Sequence, residues 1–428
     1  LSALPTFVNH KNNLIFTAMK NLFIPIFLFL AFCSMAQDPY ASYRLSDSLY
    51  RAKDYKAAAI ATMAGIRADK EKDLPLRYRN AAGAWAMAGI PDSAFAALSA
   101  IPKSNRASLP FVLGLASNKD LAGLKTDKRW PVFMEKATEK AALNYKVEEM
   151  IYGRKESEGV ALSMLQLSPK VKPNGKAIIR VVAGSWYSSF SSAESYIMGS
   201  YEYLQKGFKV FQVIVGSQPR YNMAEQVADV KRAVRYIRYN AQKLGIDPQK
   251  MGIEGASAGG HLSLNVAMAE EKIMGNPNDP VDGVSSRVQA VAVLFPPTDL
   301  LNWGGSGFNF VNAKPLLEQN KVWGAVDFKT LQESTMSYVP VTDTAARNKL
   351  GKEVSPLYAV TTDDPPVFVM HGDADPTVPI QQSLLLVEKM KAAGIKHRFV
   401  MKPGGKHNVN DMLPEWVEAV DWFEKWLK

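Results

Sequence analysis

The chain has 428 residues, 47% of them hydrophobic and 21% charged, so it can bury a sizeable core and is neither disordered nor fibrous. Its formal net charge is +10, but the basic residues are spread along the chain without the dense runs of a nucleic-acid-binding arm. The length corresponds to two or three domains.

Residues 1–36 are not expected to belong to the fold. From Met19 the sequence reads MKNLFIPIFLFLAFCSMAQ, with one lysine, an apolar run Leu22–Phe32 and a small-x-small site at Ser34-Met35-Ala36. This is a secretory signal, too short to span a bilayer comfortably, and it predicts a secreted or periplasmic mature chain from Gln37 with no membrane span. The residues before Met19 read as lying upstream of the true start. Cys33 is the only cysteine, and the bulky Phe32 before it argues against a lipid anchor. Cleavage after Ala36 removes Lys11 and Lys20, takes the charge from +10 to +8, and leaves no thiol for a disulfide or a metal.

Residues 37–144 read as an all-α domain. SLYRAKDYKAAAIATMAGI and AWAMAGIPDSAFAALSAI each give a helix, a short turn carrying Asp54 or Asp92, and an alanine-rich helix. Small residues at Ala58, Ala81, Ala88 and Ala94 let helices pack closely, and the pattern resembles tetratricopeptide-type repeats. A plain helical bundle and a groove for a protein partner are both compatible with it. DLAGLKTDKRWPVF, residues 120–133, predicts a short closing helix with a Trp-Pro stop.

From Tyr145 to the C-terminus the pattern changes to short apolar runs, at residues 176–184, 209–217, 250–257, 288–297, 365–373 and 396–405. Helical stretches over Ala224–Leu244, Gly259–Met274, Ile380–Ala393 and Asn410–Leu427 separate several of them. Continuous apolar strands alternating with helices predict a mostly parallel sheet covered on both faces, an α/β class. On the first of these helices Lys231, Arg232, Arg235 and Arg238 back a buried stripe of Val230, Val234 and Ile237, which reads as a solvated face. In such sheets chemistry collects at the carboxyl ends of the strands.

Gly255-Ala256-Ser257-Ala258-Gly259 is a G-x-S-x-G set directly after a strand and before a helix. A serine held on so sharp a turn needs small residues two positions to either side, and the helix amides from Ala258 onward point toward a developing oxyanion. A serine hydroxyl needs a base, and the base an orienting acid. Of the five histidines, His10 precedes the signal, His261 lies one helical turn beyond Ser257, His371 closes a strand and His397 begins one. His407, in KPGGKHNVN after the last run, is the candidate base. The acid should follow the preceding run, where Asp375 lies deeper in its turn than Asp373 and is preferred.

The segments GIDPQKMGIEGASAGGHLSL, FPPTDLLNWG and PPVFVMHGDADPTVPIQQS resemble α/β-hydrolases of the esterase/lipase type, near acetyl-xylan and feruloyl esterase-like and dienelactone-hydrolase-like proteins. That resemblance implies an α/β-hydrolase fold over residues 145–428 and cleavage of carboxylic esters through an acyl-enzyme. Ser257 would be the nucleophile, His407 the base and Asp375 its partner, with no metal or organic cofactor. Where relatives carry a His-Gly-Gly-Gly-Trp-like oxyanion loop, this chain has VVAGSWYSS. The amides of Gly184 and Ser185 are then the candidates to join Ala258, and Trp186 would wall the substrate pocket. The long segment 299–356, with Trp303, Phe308, Phe310 and Trp323, reads as a cap, with Trp303 as a second pocket wall; an ordinary insertion packed on the sheet edge is the competing reading. The expected substrate is a small-molecule or glycan ester, the acetyl and feruloyl groups resting on resemblance alone. The alternatives are a serine peptidase of the prolyl-oligopeptidase type, which shares the triad, and a non-catalytic binding protein whose helical part is the functional one.

Overall fold

The computed structural model describes residues 38–155, 159–268, 278–305 and 307–428, and the predicted signal lies outside them. The chain divides into two compact units, Leu1–Asn144 and Tyr145–Lys428. In the first, helices Pro39–Arg51, Tyr55–Ala68, Pro75–Met87 and Pro91–Leu98 contact one another in succession. Three of them carry proline at the start, where the missing N–H has no intrahelical partner to lose. Asp54 caps the second by accepting from the Ala57 amide. Ala58, Ala59, Ala81, Ala82 and Ala94 are wholly buried, so the close approach expected from small residues is what joins these helices. The Trp-Pro stop is corrected: Trp130 and Pro131 begin a helix, Arg129–Ala142, because proline is as well tolerated in a first turn as it is disruptive further in.

Among the described residues of the second unit ten strands form: β1 Lys146–Lys155, β2 Val160–Ser168, β3 Ala177–Val182, β4 Lys209–Ile214, β5 Met251–Ala256, β6 Ala290–Leu294, β7 Lys329–Gln332, β8 Ser337–Pro340, β9 Val367–Gly372 and β10 His397–Lys402. Eight of them make one sheet in the order β1-β2-β4-β3-β5-β6-β9-β10, and β7 with β8 is a separate hairpin. From β4 to β10 every pairing is parallel, while β1–β2 and β2–β4 are antiparallel. β3, β6 and β9 are buried along their whole length and β5 at every residue but Ala256, the last. Alternate side chains go to opposite faces: Ile179, Val181, Val291 and Val293 to one core cluster, Ile178, Val182, Ala290 and Ala292 to the other. Helices Met223–Tyr239, Ala258–Met268 and Gln381–Ala392 cover the first face, and Val409–Trp426 the second.

The two antiparallel strands at the start of this unit were not anticipated. β1 reads KVEEMIYGRK and is exposed over most of its length, so charged edge positions mask the apolar signal. The basic face of helix Met223–Tyr239 is also less solvated than expected. Arg232 pairs with Asp279 and Asp282, and Arg238 donates to the carbonyls of Pro248, Ser285 and Arg287. No helix among the described residues is long and apolar enough to cross a membrane.

Candidate active site

β5 ends at Ala256 and the next helix starts at Ala258, leaving Ser257 alone to reverse the chain. It does so in the left-handed region, at φ 53°, which an L-residue enters at about 1–2 kcal/mol. The turn is held from both sides, the Ser257 amide donating to the Leu294 carbonyl and the His261 amide to the Ser257 carbonyl, each at 2.9 Å. The flanking glycines are needed for space. A Cβ on Gly255 would lie 2.3 Å from the Gly259 backbone, and one on Gly259 would lie 2.4 Å from the Val181 carbonyl oxygen. One strand position earlier, the buried Glu254 accepts from Arg180 Nε at 2.6 Å and from the Tyr203 hydroxyl at 2.5 Å, anchoring the base of the elbow in the sheet.

The ends of β9 and β10 bring the other two groups to the serine. Gly372, the last residue of β9, passes so close to Gly405 that a Cβ would meet its carbonyl oxygen at 2.1 Å. The loop after β10 is fastened to the loop after β9 by the Ala374 amide on Gly405 and by the Gly404 amide on Asp373 Oδ1 at 2.6 Å. Asp373 therefore clamps the histidine loop, and the histidine itself goes to Asp375. His407 Nδ1 lies 2.7 Å from Asp375 Oδ2 and Nε2 lies 2.9 Å from Ser257 Oγ. The Thr377 and Val378 amides occupy Asp375 Oδ1 and leave Oδ2 to the imidazole. Burial pushes the Asp375 carboxyl upward, but hydrogen bonds from His371, His407 and those amides hold it well below the usual carboxylate range.

Phe295 and His371 support this set and were not singled out for it in the sequence. Phe295, itself left-handed at φ 35°, lies against the His407 ring at 4.2 Å between centroids. His371 is buried, bonded to Ser383 and to the Val378 carbonyl, with Nε2 3.4 Å from Asp375 Oδ2. The phenylalanine follows β6 directly and precedes Pro296-Pro297, the only local signal that its position is special.

The loop after β3 differs from expectation. Gly184 and Tyr187 bond to each other through both amides, and Ser185 and Trp186 between them have φ 49° and 56°, a tight turn of the I′ kind. The Gly184 amide is thus taken by the Tyr187 carbonyl and does not face an oxyanion. The Ser185 and Ala258 amides have no partner among the described residues. The expected role of Trp186 as an open pocket wall is corrected as well. The residue is 4% exposed, its ring packed edge-on against His261 and tilted against Phe310. Trp303 is half-buried and stacks on Phe310 at 4.7 Å. The segment 299–356 shares the sheet's core through Phe310, Val311, Leu317, Val326 and Phe328, so it is packed on the sheet and is not a detached layer. Among the described residues no group of three or more His, Cys, Asp or Glu side chains is placed to hold a metal ion.

A mostly parallel eight-stranded sheet with a serine on a left-handed elbow after β5, an acid after β9 and a histidine after β10 is an α/β-hydrolase. Within that class, the family model described as BD-FAE matches residues 165–390, more than half of the chain, and the chain belongs to that family. Esterase LipQ of Mycobacterium tuberculosis is 26% identical over 234 residues, 53% of this chain and 48% of its own length. An acetylxylan esterase of Xylanibacter ruminicola is 35% identical over 91 residues, 21% of this chain and 18% of that protein. The chain spans about half the length of the first curated relatives it matches. Among solved structures, a truncated carbohydrate esterase from gut microbiota has 26% identity and a TM-score of 0.51, covering 66% of this chain and 97% of that one.

Proposed function

We propose that the protein is a serine esterase that releases acyl groups from carbohydrate esters. The observation that carries this reading is the continuous hydrogen-bonded path from Ser257 Oγ through His407 to Asp375, with the serine raised on a strained turn. Ser257 Oγ attacks the ester carbonyl while His407 Nε2 takes its proton. The tetrahedral oxyanion is received by the Ala258 and Ser185 amides, a type of contact worth ~10²–10³ in turnover per donor. Collapse breaks the ester C–O bond, and His407 returns the proton to the leaving alcohol. Water, deprotonated by His407, then releases the acid and restores the serine. Asp375 remains ionised, fixing the imidazole and stabilising its cation. The carbohydrate side rests on the relatives, an acetylxylan esterase and a carbohydrate esterase among them. Trp303, half-buried and backed by the buried Phe310, is taken as the aromatic wall of the substrate pocket. Export of the chain through the segment from Met19 to Ala36 belongs to the same reading, and N-terminal sequencing of the mature protein checks it.

The test is hydrolysis of p-nitrophenyl acetate and butyrate, followed by acetate release from acetylated xylan, beside Ser257→Ala. Serine-dependent turnover of the short esters and of the xylan supports the proposal. Turnover unchanged in Ser257→Ala, or none in the parent protein, overturns it.

A further inference from the structure

His261 and Trp186 form a buried polar contact that the acyl-transfer steps above do not use. The Trp186 indole N–H donates to His261 Nδ1 at 3.1 Å, across 75 positions of sequence. An indole nitrogen can only donate, so Nδ1 is the acceptor and the ring proton resides on Nε2. Nε2 in turn donates to the Val354 carbonyl at 2.7 Å, at the end of helix Thr344–Glu353 on the returning leg of segment 299–356. Asn265 Nδ2 bonds the same carbonyl and the His261 carbonyl, so the imidazole has little freedom to rotate. The histidine is completely buried.

The other end of the contact is the oxyanion turn. Trp186 follows Ser185, and both residues are held in the left-handed region. The Trp186 carbonyl accepts from the Gln218 amide at 3.1 Å and from Gln226 Nε2 at 2.9 Å. With the indole fixed by His261, the residue is pinned at its backbone and at its side chain. The Ser185 N–H belongs to the Gly184–Ser185 peptide, whose carbonyl accepts from the Tyr187 amide at 2.8 Å, so the pinned Trp186 holds the closing side of the turn that aims the Ser185 amide. A donor is useful to a transition state to the degree that it is already aimed before charge develops. The left-handed backbone would relax toward commoner conformations if the indole were released.

We propose that His261 and Trp186 are positioning residues for the oxyanion hole, with the Val354 carbonyl setting the histidine tautomer that receives the indole. The long insertion thereby acts on the reaction centre from behind the elbow. The proposal rests on the proposed function for Ser257 as the nucleophile and the Ser185 amide as a donor, and not on which ester is cleaved.

Trp186→Phe keeps the apolar packing and deletes the N–H, His261→Leu deletes the acceptor, and His261→Gln retains one acceptor and one donor of similar reach. With p-nitrophenyl acetate, kcat is expected to fall about tenfold in each of the first two, with KM nearly unchanged, part of the loss of a whole donor. The double variant should be no worse than either single one, and His261→Gln should recover most of the rate. A second readout needs no ester: labelling of Ser257 by an ethyl fluorophosphonate, in which Ser257 Oγ bonds phosphorus, fluoride leaves and His407 takes the proton. The labelling rate, read by intact mass, should fall in the same proportion. A thermal midpoint lowered with kcat and labelling unchanged reduces the pair to packing and overturns the proposal. So do additive losses in the double variant, or a rise confined to KM. A parent protein that is labelled but hydrolyses no ester refutes the esterase reading alone, and the labelling rates still decide the role of the pair. Absence of labelling in the parent overturns both.

Discussion

Asp375→Asn isolates what the acid does, because the local geometry fixes how asparagine must sit. The Thr377 and Val378 amides, at 2.8 and 2.9 Å from Oδ1, require an acceptor there, so the asparagine carbonyl oxygen takes that place. The NH₂ group then replaces Oδ2, 2.7 Å from His407 Nδ1. It can only donate, which forces the imidazole proton onto Nε2, facing Ser257 Oγ at 2.9 Å. The base is then blocked by its own proton, and the imidazolium loses its counter-charge. In the chymotrypsin-type triad, the general worked case for this substitution, the loss is ~10⁴ in kcat. The same order is expected here, with KM altered little because no substrate contact is removed. The assay is steady-state hydrolysis of p-nitrophenyl acetate, with the folded state checked by circular dichroism. Asp373→Asn is the companion measurement. It perturbs one bond from the Gly404 amide and should leave kcat within about tenfold, a modest loss on the scale of a single neutral hydrogen bond. An Asp375→Asn enzyme retaining a tenth of its activity, or a larger loss at Asp373, would refute the assignment of the acid.

Two further outcomes are expected. Gly259→Ala places a methyl group 2.4 Å from the Val181 carbonyl oxygen, where backbone and not a flexible side chain must yield; it should lower stability by about 3 kcal/mol, read as a shift in the urea midpoint. Burial lowers the pKa of His261 from 6.5 to about 4, the Val354 carbonyl opposing it, so between those values the unfolded chain binds the proton and the native one does not. The resulting contribution, about 3 kcal/mol, is present above pH 6.5 and is lost as pH falls toward 4. The stability difference between the parent and His261→Gln, measured by urea unfolding at pH 7 and pH 4.5, should therefore change with pH in favour of the variant on the acid side; a constant difference would contradict a buried neutral histidine.

The buried strands and the positions of the serine, acid and histidine were legible because each is encoded by neighbours in sequence. A parallel strand buried on both faces shows as a continuous apolar run, as in β3, β5 and β9, and the chemistry follows at its end. The glycines around Ser257 and those at Gly372 and Gly405 are local necessities of close backbone approach, and each stands in the sequence beside the run it serves. β1 was not legible, since an exposed edge strand alternates charge with apolar residues over a bulge between Ile151 and Gly153. Helix Gln381–Ala392 fell within a residue of its expected bounds because its stripe repeats at the helical period, whereas the stretch expected as one helix over Ala224–Leu244 divides at Asn240 into Met223–Tyr239 and the short Ala241–Leu244.

The sequence by itself determined the class of fold and which residues could do the chemistry, through runs, periods and small-residue spacings that act over a few positions. It could not determine which amides of the loop after β3 are already paired or where the tryptophan in that loop packs. VVAGSWYSS carries no sign that Gly184 closes its turn onto Tyr187, or that the indole turns inward. The inward turn of the indole depends on His261, which the sequence presents only as a histidine on an apolar helix, and on Val354, which lies 93 positions from it. Tertiary structure decided it because a buried donor must find its acceptor wherever the chain brings one within about 3 Å.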